Sequence, residues 1–543
     1  DPWLQSRLPV TDGLCRVRPS IQERLRRLCL QVSAFTVSLL VMRRRNLEFL
    51  NSPAVAALLL GLLVLASSIA KWQGGYRPRF PLEHSNVAYS LASGTGYSNP
   101  FGVTSGPTAW VPPGIPLAYA GAVRLAKALQ VDERAPIVGI NVLAAATACF
   151  LVLRYCLGNW RLKARGAFVA VYLGYGILDP DFLVSSGPLT AAASALLLAG
   201  LAEAFRQPGR AVPWAMIFGA NALLSLIHPG LALAGVLASL SVGLVQVRLE
   251  AVRPTSLIRS ALFAAIAGVA MGAGPWTIRN YLVFHQWIPA KSNGYFEMVL
   301  SQRETGNGVL SEASLLVGHP STNPRLLSEY VRLGERRFLE PYQEQAREIL
   351  RSDFRRYCIF SLNRLLDAVC FCQSPADIEM LSVHLKSAQA ARLVGQRLII
   401  MCAGTPNFFW ARSSVPASVE LSGIRAAGID EPEAVLADWA RAQKAIQGRT
   451  ENPAAVLTGF AWSGLPTLFI VAAFFAARWS PPRLLLAATA IYLVALVPNV
   501  LITHDMRHQG SFVLLFAVLG AGAVETIVSR RKTIAGGRLA EKP

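Results

Sequence analysis

The run AVAALLLGLLVLASSIA, Ala54 to Ala70, is seventeen residues long and carries no charge. As a helix it would span about 26 Å, close to the hydrocarbon thickness of a bilayer. Runs of the same kind recur at Ala135–Leu157, Gly166–Leu178, Gly187–Ala204, Val212–Ile227, Gly230–Val247, Ala261–Ile278, Ala454–Ala477, Leu484–Ile502 and Ser511–Val528. The third is the shortest. Cys29–Met42 is shorter than a bilayer requires and reads as an interfacial or buried helix, with a true span as the alternative. The whole chain agrees with this pattern. Its 543 residues are 53% hydrophobic and only 15% charged, against about 25% charged in soluble domains.

The cations fix an orientation. Arg161, Lys163 and Arg165 share one short joint, and Arg206 with Arg210 another. Arg248, Arg253 and Arg259 follow, then Arg478 and Arg483, and the tail carries Arg530, Arg531, Lys532 and Arg538. With ten spans counted, all of these joints fall on one side together with the Arg-rich N-terminus. That side is cytoplasmic by the positive-inside rule, so both termini are expected there. The net charge of +20 is therefore a topology signal, and nucleic acid is not an expected partner. The first ~27 residues lack the apolar core of a signal peptide.

The reading is an all-α polytopic membrane protein of about ten transmembrane helices. A cytoplasmic segment covers 1–53. A bundle covers 54–278 and includes an outer loop at 71–134. An extracytoplasmic region follows at 279–453, then three last spans at 454–528 and a cytoplasmic tail at 529–543. Past Arg279 the extracytoplasmic region balances 19 Lys and Arg against 18 acids, as a folded outer segment would. Its stretch from Leu326 to Phe371 repeats apolar residues every three to four positions and predicts amphipathic helices. Arg397–Arg412 is apolar but broken by Gly and Pro, which suits the bilayer surface or packing on the bundle. Cys358, Cys370, Cys372 and Cys402 fall in this region; they form one disulfide or remain buried thiols.

Chemistry is concentrated on the outer side. PLEHSNVAYSLASGTGYSNPFGVTSGPTAWVPPGIPLAYA, Pro81–Ala120, follows the first span. Its Gly and Pro density from Gly94 to Pro116 predicts an irregular loop. Its one acid, Glu83 beside His84, sits where a general base or an electrostatic anchor would stand; a solvated loop acid is the alternative. In GAGPWTIRNYLVFHQWIPAKSN, Pro275 is expected to end or kink a span. Arg279 and Asn280 are then at its exit, and Lys291 and Asn293 a little later. Cations on the side that topology disfavours suit a lipid phosphate, with snorkelling anchors as the alternative. The late turn THDMRHQG holds His504, Asp505, Arg507 and His508. These offer an anion contact through Arg507 and ligands for a divalent cation, or else a turn whose groups pair with one another. Asp179–Asp181 is a further outer acid pair, and His228-Pro229 a polar break between spans. The sequence contains no Walker A and no G-x-S-x-G, and Gly94–Gly96 lacks a strand–turn–helix setting. No intramembrane acid relay and no related halves point to a transporter.

Ala88–Gly102, read as A-x-S-L-A-x-G-x-G-Y-S-N-P-F-G, and Gly106–Pro113, read as G-P-T-A-W-V-P-P, resemble the GT-C superfamily of membrane glycosyltransferases. The similarity is to the bacterial subgroup related to protein O-mannosyltransferases and lipid A aminoarabinose transferases. Pro275–Phe284 with Pro289–Asn293 resembles a second stretch of that subgroup, and the turn at Arg507 its late outer loop. The resemblance covers roughly 54–370 and 484–528. It implies amphipathic helices in the first outer loop and a sugar donor on a polyprenyl phosphate. The acceptor would be a glycan, lipid or protein hydroxyl, and transfer would invert the sugar at the outer face of the bacterial cytoplasmic membrane. Glu83 matches the first-loop acid, Arg279 and Lys291 the basic pair, and Arg507 the late-loop cation. His84, Asn280 and Asn293 flank these as substrate contacts. This chain departs from the pattern at Glu83-His84, where many relatives have Asp or Asp-Glu, and after Arg507, where the usual Tyr is missing. A non-catalytic lipid- or glycan-binding or flippase-like protein on the same scaffold is the alternative.

Overall fold

A computed structural model describes residues 51–73, 82–178, 182–249, 254–303, 308, 310, 318–370, 483–502, 514–515, 517–525 and 528. Eight of the ten apolar runs lie on described helices. These are α1 (Pro53–Gln73), α4 (Arg134–Leu151, extended by a π turn at Val152–Cys156), α5 (Leu162–Leu178), α6 (Gly187–Arg206), α7 (Ala211–Ile227), α8 (Pro229–Leu249), α9 (Pro254–Leu262) joined by a π turn at Phe263–Ala267 to α10 (Gly268–Phe284), and α14 (Arg483–Leu501). Between and after them come α2 (Leu82–Ala92), α3 (Gly114–Leu129), α11 (Gly294–Arg303), α12 (Pro324–Ser352) and α13 (Phe354–Cys370). Among the described residues, β pairing is limited to one bridge between Ser98 and Pro107. The run at Ala454–Ala477 lies outside the described residues, as do Cys29–Met42, Asp179–Asp181, Arg397–Arg412 and the late turn with Arg507; Ser511–Val528 is described in part.

Three of the described helices, Arg134–Cys156, Gly187–Arg206 and Leu257–Phe284, are long and apolar enough to cross a membrane. The protein is thus helical and membrane-associated. Its outward surface matches that environment: Leu58 and Leu62 on α1 and Phe263, Met271 and Leu282 along α9–α10 are all exposed. In water such rows would be costly, whereas lipid tails solvate them.

The bundle core joins α1, α4, α5, α6, α7, α8, α9 and α14. Small residues let these helices approach closely. On α10, Gly268 and Gly272 are spaced as G-x-x-x-G and face α7. A Cβ at Gly268 would come within 2.6 Å of the Phe218 carbonyl oxygen, and one at Gly272 would collide with Ser225 and the Ala222 backbone. This is the packing expected where lipid replaces water and dispersion, not the hydrophobic effect, drives helix association.

One end of the bundle carries a second layer. Ile115 and Tyr119 of α3 pack with Ala88 of α2, Ile137 at the start of α4, Leu189 at the start of α6 and Ile227 at the end of α7. Tyr119 Oη donates to the carbonyls of Val184 and Ser185, each at 3.0 Å, and Asn141 Nδ2 donates to Leu183 O at 2.8 Å. Beside this sits an aromatic core of Tyr97, Phe101, Trp110, Trp276, Phe284, Phe296, Tyr330 and Phe338, drawn from the 93–113 loop, α10, α11 and α12.

Three local readings change. The acid expected in a loop lies on a helix, since Glu83 occupies the first turn of α2, where a carboxylate is favoured by the helix dipole. Pro275 does not end its helix, because α10 continues through it to Phe284 and absorbs one missing N–H. Arg279 and Asn280 therefore sit on the last turns of α10 and not beyond it. The amphipathic stretch after Leu326 is indeed helical, but α12 breaks at Gly334, whose φ of 73° and ψ of 160° are not helical. That break, at a residue without a Cβ penalty for positive φ, redirects the chain so that Glu335 begins a new helical segment pointing inward. Cys358 is an exposed free thiol.

Candidate functional site

The 93–113 loop is irregular but internally bonded. Asn99 adopts a φ of 61°, and its Oδ1 accepts from the backbone N–H groups of Ser105 (2.9 Å) and Gly106 (3.2 Å). Thr108 N–H donates to Tyr97 O at 3.1 Å, and Tyr97 Oη to Val111 O at 2.8 Å. Asn86 on α2 reaches Pro100 O at 2.9 Å. Phe101 and Trp110 are fully buried beneath.

Two charged residues fasten this loop to the rest of the protein. Arg279 donates through Nη1 to Thr108 O (2.7 Å) and Asn280 Oδ1 (2.9 Å), and through Nη2 to Tyr97 O (2.9 Å). Its guanidinium also lies 4.9 Å from the Trp276 ring centre and 5.4 Å from that of Tyr97, at distances where cation–π attraction is significant. Glu335 is 3% exposed. Its Oε1 accepts from Ala109 N (2.7 Å) and Ser292 Oγ (2.8 Å), and its Oε2 from Thr108 Oγ1 (2.5 Å) and Tyr330 Oη (2.8 Å). Burial pushes the Glu335 carboxyl above the ordinary glutamate range, and the four donors pull it back. With donors at both oxygens, the acceptor-only ionised form is the one this geometry fits. Burial and the neighbouring Glu335 raise the Tyr330 hydroxyl well above its usual range, so Tyr330 stays a donor.

Lys291 Nζ contacts both carboxylate oxygens of Glu297, at 2.7 and 2.8 Å, and Asn293 Nδ2 donates to Glu297 Oε1 at 2.9 Å. Asn280 is fully buried and donates to Ile288 O at 2.8 Å. Lys291, Asn293, Arg279 and Asn280 thus all make defined protein contacts around the first loop. Ser292 N–H donates to Ala109 O at 2.9 Å, which joins their segment to that loop.

Glu83 is partly buried, and its Oε1 lies 3.9 Å from Nε2 of His319. That exceeds a direct hydrogen bond but is within ion-pair range. His84 is beside it, also half-buried. A carboxylate so placed can take a proton from a hydroxyl, whereas sharing one with the imidazole requires closure to hydrogen-bond distance or a bridging water. Among the described residues no three His, Cys, Asp or Glu side chains group as metal ligands. The residues considered for a divalent cation, His504, Asp505 and His508, lie outside the described residues.

Sequence reasoning missed His319, Glu297 and Glu335. His319 stands in Gly318-His319-Pro320, a turn signal that carries no hint of its partner 236 positions earlier. Glu335 sits in RLGERRF, which reads as the charged, solvated face of a helix. Only the glycine before it marked the break. No family model, curated protein or solved structure matches this chain.

Proposed function

We propose that this protein is a membrane glycosyltransferase that moves a sugar from a polyprenyl-phosphate carrier to an acceptor hydroxyl. The observation that carries the reading is the partly exposed carboxylate of Glu83, in the first turn of α2 beside the resembling motif and facing an imidazole. In the step envisaged, the acceptor oxygen attacks the anomeric carbon from the face opposite the phosphate. The carbon–oxygen bond to phosphate breaks, its electron pair leaves with the polyprenyl phosphate, and the acceptor proton passes to Glu83 and then to water. A phosphate leaving group needs no proton, only nearby cations. Lys291 is the cation best placed to give up an existing partner, since a donor phosphate would compete with Glu297 for it. Arg279 holds the loop that carries the motif.

The setting proposed is a bundle of about ten spans in a bacterial cytoplasmic membrane, both termini cytoplasmic and the layer of α2, α3, α11 and α12 on the outer side. The engagement of Arg279 and Lys291 by protein acceptors favours a second reading, a non-catalytic lipid- or glycan-binding protein on the same scaffold. Purified protein supplied with a panel of polyprenyl-phosphate sugars separates the two. Wild type should release free polyprenyl phosphate and Glu83→Gln should not, with equal expression of both. Undiminished release by Glu83→Gln would remove Glu83 from the mechanism, and binding of the lipid without release by wild type would favour the second reading.

A further inference from the structure

We infer that His319 is the positioning residue that sets the orientation of the Glu83 carboxylate, an inference that rests on the glycosyl-transfer reading for its catalytic consequence. His319 is 7% exposed. Its ring is held edge-on by three others, with centroids 5.7 Å from Phe101, 5.7 Å from Trp110 and 5.6 Å from Phe296 at interplanar angles of 87°, 77° and 68°. The backbone around it is a closed turn, with Thr322 N–H and Asn323 N–H both donating to His319 O. Nδ1 accepts from the Ser321 backbone N–H at 3.2 Å and lies 2.6 Å from Ser321 Oγ. A backbone N–H can only donate, so Nδ1 carries the lone pair and the neutral ring carries its proton on Nε2. Nε2 is the atom that faces Glu83 Oε1 at 3.9 Å.

The turn therefore fixes both the ring and its tautomer, and aims an N–H at the one carboxylate of the first outer helix. A small rotation of the Glu83 side chain closes the gap, as catalytic hydrogen bonds often do only when substrate is bound. A donor in that place favours the ionised carboxylate, the form a base requires. It also fixes which way the carboxylate faces, the role of the orienting third group in triad-like sites.

Two arms test this. In the kinetic arm, with the same panel of polyprenyl-phosphate sugars, His319→Phe keeps an aromatic ring in the cluster and removes the N–H. It should lower kcat by about 10- to 100-fold, a part of the usual acid–base contribution, with KM unchanged. His319→Gln, which offers an amide N–H at similar reach, should recover part of the loss. A ring that merely fills space predicts the reverse, with Phe active and Gln impaired. In the second arm, nitrogen-15 spectra of histidine-labelled protein report the tautomer without any substrate. The His319 signals are assigned among the seven histidines by their disappearance in His319→Phe. The Nε2–H tautomer and a displacement of these signals in Glu83→Gln are expected. An Nδ1–H tautomer, or signals indifferent to Glu83→Gln, would overturn the inference. If wild type releases no polyprenyl phosphate, the glycosyl-transfer reading falls while the spectra still decide the pairing; if Glu83→Gln turns over like wild type, Glu83 leaves the mechanism and the catalytic consequence drawn here falls with it.

Discussion

Glu335→Leu should loosen the 93–113 loop from the rest of the protein. The native carboxylate accepts from four donors contributed by three separate segments: Thr108 and Ala109, Ser292, and Tyr330. Thr108, Ala109 and Tyr330 are essentially inaccessible to water, so with leucine in place the Ala109 N–H loses its acceptor, while the Thr108 and Tyr330 hydroxyls keep only their contact with each other. A buried donor left without a partner costs about 1–3 kcal/mol. The Ala109 N–H is fixed by the backbone and bears the full cost. The two hydroxyls can rotate and recover some, and Ser292 is partly exposed and can turn to water. Removing a buried charge offsets part of the rest, which leaves a loss of about 4 kcal/mol. Glu335→Gln is the informative control. Its carbonyl oxygen must occupy the Oε1 position, because the Ala109 N–H tolerates nothing but an acceptor. The amide nitrogen then meets the Thr108 and Tyr330 hydroxyls, which can accept. That variant should lose only about 1–2 kcal/mol. Denaturant unfolding in detergent, with limited proteolysis of the 93–113 loop, reads both effects. Native stability and native loop protection in Glu335→Leu, or a glutamine variant weaker than the leucine one, would show that Glu335 is not the tie.

Other perturbations follow from the same contacts. Gly272→Val should push α10 from α7 and lower the thermal midpoint clearly, whereas Gly274→Ala, where a Cβ meets nothing within 4 Å, should leave it almost unchanged; equal effects would discount the close crossing. Arg364→Met should cost about 3 kcal/mol or more in unfolding free energy, because the fully buried guanidinium donates to Val500 O at 2.6 Å and Gly308 O at 3.2 Å. Burial pulls that guanidinium down only to about 10, so it remains charged at neutral pH and acts as a cation at the C-terminus of α14; unaltered stability would count against that capping role. Arg279→Lys keeps the charge but cannot bridge Thr108 O, Tyr97 O and Asn280 together, and increased proteolysis of the loop is expected. Glu297→Gln should release Lys291 and tighten binding of a polyprenyl phosphate; unchanged affinity would mean that Lys291 does not serve the donor.

Periodicity and length located the helices well, because an apolar run in a membrane protein has few other places to go. Ala54–Ala70 became most of α1, and His228-Pro229 became the break between α7 and α8. The amphipathic repeat after Leu326 became α12 and α13. The failures have a shared cause. For Pro275 local rules allow an end or a kink, and the end is excluded because a helix held along α7 tolerates one lost N–H. Glu335 carries no local signal of burial because its neighbours in sequence are charged, and only its tertiary partners show it. His319 gave no local signal, since its significance depends on Glu83, which is distant in sequence. Local chemistry decides where helices lie, and pairing across segments decides which polar groups are buried between them.

The same distinction changes what the motif itself means. Its Tyr97, Asn99, Phe101, Thr108 and Trp110 are each accounted for by the loop's own closure or by the aromatic layer beneath it. Arg279 binds two carbonyls of that loop, at Thr108 and Tyr97. A stretch that resembles a catalytic signature can therefore be largely a scaffold signature, one that records how a loop is held rather than what it transforms. Under the proposed transfer the chemistry rests first on Glu83, whose Oε1 lies 3.9 Å from His319 Nε2, and next on Lys291, which pairs with the partly exposed carboxylate of Glu297. Glu335 and Arg279 tie the loop down, and Asn86 bonds α2 to that loop at Pro100 O (2.9 Å); under the proposed transfer this gives Glu83 the fixed geometry that a single general base requires.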